Sequence, residues 1–151
     1  MRILNRNSLA VLLLGCLLPV ITWAAANPVV QVRNGYVRGL PPGTTNTAAY
    51  MTLVNASDET LVLTGATSAA ATSAMLHKTV RHEGGVMAME HVMTATLPAH
   101  GQLMLESGGL HLMLIGLKQP LREGANVEVT LQFEGGYSLT ADLPVISVLN
   151  E

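Results

Sequence analysis

Cysteine is almost missing from the 151-residue chain, and the only one, Cys16, falls inside an N-terminal apolar stretch. A zinc-thiolate or blue-copper site therefore has no thiolate to draw on downstream of that stretch. Residues 27–151 cannot form a disulfide either. Aromatic residues are scarce: past Trp23 there are only Tyr36, Tyr50, Phe133 and Tyr137, too few for a surface that stacks sugars or bases. Positive charge is thin as well. With Arg2 and Arg6 set aside, six basic residues face ten acidic ones, and no basic patch exists, which argues against nucleic acid and anionic membrane as partners. No segment beyond the first thirty residues carries a convincing helical stripe, or an apolar run long enough to span a bilayer.

The N-terminus reads as a targeting segment. Arg2 and Arg6 give a positive start, Leu9 to Ile21 is apolar but short, and Ala24, Ala25 and Ala26 supply small residues for cleavage. The expectation is a signal peptide over residues 1–26, removed after Ala26 (Ala24 also fits), and a periplasmic mature protein. Leu13, Leu14, Gly15 and Cys16 admit a second reading as a lipobox that would make Cys16 a lipidated first residue. The apolar run continues through Leu17, Leu18, Pro19, Val20 and Ile21, where a lipoprotein usually turns polar, so cleavage near Ala26 is preferred. Residues 27–151 then have the size of one compact domain.

Within that domain the dominant signal has a period of two. Val127, Val129, Leu131 and Phe133 alternate with Glu128, Thr130 and Gln132; Glu134, Gly135 and Gly136 make a turn; Tyr137, Leu139, Ala141 and Leu143 alternate again. Further short runs stand at residues 29–37, 47–55, 60–66, 73–80, 86–94, 101–106 and 110–117. They are separated by the turn clusters LPPGT (40–44), ASDE (56–59), EGG (83–85), PAHG (98–101) and SGG (107–109). Eight or nine short strands predict an all-β fold, an antiparallel sandwich or small Greek-key barrel.

The chemistry lies in where histidine and methionine fall. All five histidines (His77, His82, His91, His100, His111) lie within 35 residues, and six of the eight methionines lie between Met75 and Met113. Residues two apart on a strand share a face. Met75 thus points with His77, Met87 and Met89 with His91 and Met93, and His111 with Met113. On the last of these strands Leu110, Leu112 and Leu114 mark the opposite, core side, so His111 and Met113 look outward or into a pocket at the sheet's edge. Thioether sulfur is a neutral soft donor and imidazole a borderline one, a combination suited to Cu(I) or Ag(I) rather than Mg(II) or Ca(II). Methionine also needs no deprotonation to bind. Bland readings compete. A lone methionine on a strand is usually core filler, the reading given to Met51, Met75 and Met104. His82 and His100 stand beside turns and read as solvated loop residues. His91 and Met93 read as rim residues as readily as ligands.

The spacing His77, eleven residues, Met89, twenty-one residues, then His111-x-Met113 resembles the copper-binding signature of the PCu(A)C family of periplasmic copper chaperones. YVRGLPPGTTNTAAYMTLVN (36–55), GGVMAM (84–89) and GGLHLMLIGLKQPLREG (108–124) are similar to further stretches of that family. The resemblance implies a cupredoxin-like β-barrel holding one Cu(I) through His77, Met89, His111 and Met113. It also implies a copper-accepting partner, an oxidase subunit or another assembly chaperone serving the dinuclear copper centre of cytochrome c oxidase. Lys78 departs from the pattern, standing where many members carry a methionine after the first histidine. A copper or silver buffer without a dedicated recipient is the alternative within the binding class, and an adhesive sandwich with incidental His and Met is another. An electron-transfer cupredoxin lacks its cysteine, and a dismutase or hydrolase lacks its constellation, so no enzyme is expected.

Overall fold

The computed structural model describes residues 29–147; the segment expected to act in targeting, with Cys16 and both candidate cleavage positions, lies outside them. Ten strands follow one another: β1 Val30–Gly39, β2 Asn46–Asn55, β3 Leu61–Thr67, β4 Ala71–Arg81, β5 Met87–His91, β6 Ala95–Leu97, β7 Gln102–Leu105, β8 Leu110–Leu117, β9 Asn126–Phe133 and β10 Ser138–Ser147. There is no α-helix among the described residues. The run expected as one strand over 86–94 is instead divided. β5 stops at His91, the chain turns, and β6 pairs with β3 rather than β4.

Seven strands close a barrel in the order β4-β8-β2-β1-β10-β9-β3, and the Ala66–Ala74 pairing brings β3 back to β4. β5 extends β4, β6 extends β3, and β7 continues along β2 where β8 leaves it. The expected all-β, cupredoxin-like barrel is present, with one correction to its antiparallel pattern. β1 and β10 run parallel, with Val37 opposite Val145. Closure itself requires this, because strands alternating in direction around a ring must be even in number, and seven forces at least one parallel neighbour.

The core follows the alternation. Val127, Val129, Leu131 and Phe133 are buried while Glu128 and Gln132 between them are exposed. Leu112 and Leu114 of β8 are fully buried against Leu53, Leu63, Leu76 and Leu97; burying each such side chain contributes about 1.5–3 kcal/mol. The two Glu-Gly-Gly segments adopt the same hairpin turn. Gly84 and Gly85, like Gly135 and Gly136, have positive φ, a region that glycine enters without a Cβ penalty. His82 N–H donates to the Val86 carbonyl at 2.8 Å and Phe133 N–H to that of Tyr137 at 2.9 Å.

Candidate metal centre

β4 lies between β8 and β5, and its pairing with both sets out the histidines and methionines. Met75 is opposite Met113 and His77 opposite His111. On the other side His77 is opposite His91 and Thr79 opposite Met89. Residues directly opposite share a face. Ala74 and Leu76 of β4, and Leu112 and Leu114 of β8, fill the core, so Met75, His77, Met113 and His111 occupy the outer face.

A row of rings crosses five strands on that face. Centroids are 5.2 Å apart between Tyr36 and Tyr50, 6.3 Å between Tyr50 and His111, 6.3 Å between His111 and His77, and 5.8 Å between His77 and His91. Although it faces outward, His111 is buried, at 3% exposure. Of the two alternatives weighed from sequence, open surface or pocket, the pocket holds. Nδ1 of His111 donates to the Gly109 carbonyl at 3.0 Å, which assigns the proton to that nitrogen in the neutral ring and leaves the Nε2 lone pair for a ligand.

His77 is different. Its Nδ1 is buried without a hydrogen-bond partner, a situation that costs about 1–3 kcal/mol. Burial holds its pKa below the usual value, and the neighbouring His111 and His91 push it in the same direction. The ring is thus kept neutral, the form that binds metal. Beside this pair a cavity of about 230 Å³ is lined by Met89, His111 and Met113, with Tyr50, Thr79 and Arg38 among its other walls. Met89 is 60% exposed. Of the four residues singled out by sequence, then, three line one cavity and the fourth, His77, stands against the ring of His111. No three His, Cys, Asp or Glu side chains gather for a metal ion among the described residues, so a set of three or more protein donors here has to include thioether sulfur.

Other expectations divide. Met51 is core, at 2% exposure, but Met75 and Met104 are 40% and 51% exposed. Met75 shares the outer face of β4 with His77, opposite the core residues Ala74 and Leu76, and Met104 sits opposite the outer Thr52. His82 is exposed in its turn, and His100 is an exposed loop residue whose Nε2 lies 2.8 Å from an Asp58 carboxylate oxygen. Lys78 pairs with Leu110 and Glu90 in the row next to His77. It therefore projects from the opposite face of β4, and its charge is directed away from the histidines. Tyr50 and Arg38 carried no sequence signal, because only the pairing of β1, β2 and β8 brings them to His111.

The LpqE-like family, described as "Putative lipoprotein LpqE-like", matches residues 30–145. A relative from Leifsonia xyli subsp. xyli, named "Putative lipoprotein Lxx21020", is 39% identical over 116 residues, covering 77% of this chain and 69% of its own length. The solution structure of Cu(I)-DR1885 from Deinococcus radiodurans is 42% identical, with 84% of each chain covered and a TM-score of 0.65. The apo form of DR1885 is 37% identical, with 97% of this chain and 99% of that one covered and a TM-score of 0.63. The copper-bound PCuAC domain of PmoF2 aligns over 82% of this chain and 97% of its own at a TM-score of 0.65; with 24% identity it speaks to fold alone.

Proposed function

Since the chain belongs to the LpqE-like, PCuAC-related family, we propose that it is an exported Cu(I) chaperone, binding one ion through His77, Met89, His111 and Met113. The observation that carries this reading is the pairing of His77 with His111 across β4 and β8, beside a cavity lined by Met89, His111 and Met113. Two neutral imidazoles and two thioethers form a soft, uncharged donor set that favours Cu(I) over Cu(II) or Zn(II). The 42%-identical DR1885 structure carries Cu(I), which supports the same metal here.

Transfer proceeds by ligand exchange. His111 is held by Gly109 and sealed against Tyr50, so it anchors the ion. Met89, the most exposed donor on an edge strand, releases first and opens a position for an incoming thiolate or thioether. The recipient we favour is an oxidase subunit or an assembly chaperone that builds the dinuclear copper centre of cytochrome c oxidase. The test is Cu(I) titration of the mature protein against a competing chelator. Met89→Leu and Met113→Leu should each weaken binding at least ten-fold, and unchanged affinity in both would sink the reading.

The relatives' names bear on the N-terminus. Both describe lipoproteins, which favours lipidation at Cys16, the second of the two readings of the targeting segment, over release by cleavage at Ala26.

A further inference from the structure

The proposed Cu(I) set leaves one imidazole of the ring row unused. His91 is in direct register with His77 across β4 and β5, ring centroids 5.8 Å apart, slightly closer than His77 and His111 at 6.3 Å. His91 ends the edge strand and is exposed, whereas His111 is buried. Exposure therefore rises along the row from His111 through His77 to His91.

We propose that His77 and His91 form a second metal position, on the solvent side of the first, that takes Cu(II) with water completing its coordination. The reading rests on His77 belonging also to the Cu(I) set, so the two positions exclude one another. Three features select the metal. The donors are two imidazoles on adjacent strands with no cysteine, and a nitrogen and oxygen environment of tetragonal shape suits Cu(II). The position is open, so waters reach the remaining sites without displacing packed side chains. The buried Nδ1 of His77 has no partner in the fold, so the ring can turn a nitrogen to an ion on either side without breaking a hydrogen bond there. The soft sulfurs of the inner set discriminate against Cu(II), and the outer pair does not.

The experiment is Cu(II) titration of the mature protein followed by electron paramagnetic resonance. The wild-type protein should take up one Cu(II) with splitting from two imidazole nitrogens. His91→Ala, an exposed change whose folding is checked by circular dichroism, should weaken that uptake at least ten-fold and remove one nitrogen from the spectrum. Protein first filled with one equivalent of Ag(I), a redox-inert stand-in for Cu(I), should no longer bind Cu(II) there. An unaltered spectrum and affinity in His91→Ala, or undiminished Cu(II) uptake by the Ag(I)-filled protein, overturns the proposal. If Cu(I) uptake still depends on Met113 while Cu(II) ignores His91, only this inference falls. A wild-type protein that binds no Cu(I) instead removes the chaperone reading.

Discussion

His77 carries the largest consequence of any single residue. It is flanked by His111 and His91, is partly desolvated, and has its pKa held below the ordinary value of about 6.5. A depressed folded-state pKa means that the unfolded chain binds the proton more readily. The neutral ring therefore supports the fold above that ordinary value, and the support is lost as pH falls through the lower folded value. The metal-free protein should lose stability on acidification below about pH 6.5, and His77→Gln should flatten that limb, read as denaturation midpoints across pH; the groups facing His77 are His111, His91 and the methionines. An unaltered acid limb in the variant would remove His77 as its origin. At this scale the sequence was partly legible. His111-x-Met113 announces itself by spacing on one strand, while the unpartnered Nδ1 of His77 and its contact with His111 depend on a neighbour 34 positions away.

The element that decides the site is the β4–β8 ladder, flanked by β5. Period-two patterning located β8 at residues 110–117, with the boundaries it has in the structure, because its core face is an unbroken leucine series. The run at 86–94 was harder, since its exposed methionines mimic the alternation of a longer strand, and only the separate pairing of Ala95–Leu97 with β3 ends it. The other informative element is β1, where register with β2 shifts between Arg33 and Tyr36. Asn34 there has a φ of 51°, and a Cβ on Gly35 would lie 2.5 Å from Leu143 Cδ2. That irregularity sets Tyr36 opposite Tyr50, at the far end of the ring row. Gly35→Ala should therefore cost about 1–3 kcal/mol through overpacking, seen as a lower urea midpoint with an unchanged slope. No loss of stability would show that Leu143 moves freely.

For the whole molecule, closure of seven strands presses β5, β4, β8 and β2 into one continuous outer face on which soft donors from separate segments meet. Such donors suit the proposed exported chaperone, since methionine cannot be lost to disulfide formation in an oxidising compartment. The intact mass of the protein recovered from an exporting bacterial host tests the N-terminal reading. We expect a species beginning at lipidated Cys16 and partitioning with membranes; an unmodified chain starting at Asn27 would restore simple cleavage after Ala26.

Composition and periodicity by themselves determined the absence of thiolate chemistry in residues 27–151, the all-β class, most strand positions, and the clustering of histidine and methionine on which the proposed site rests. These are local properties, set by side-chain type and by the alternation of a pleated backbone. Only the tertiary structure decided that His77 faces both His111 and His91, that Met75 lies outside the core, that Lys78 turns away, and that β1 meets β10 in parallel. Each of these depends on the register between strands distant in sequence, and register is fixed by which side chains pack together when the barrel closes.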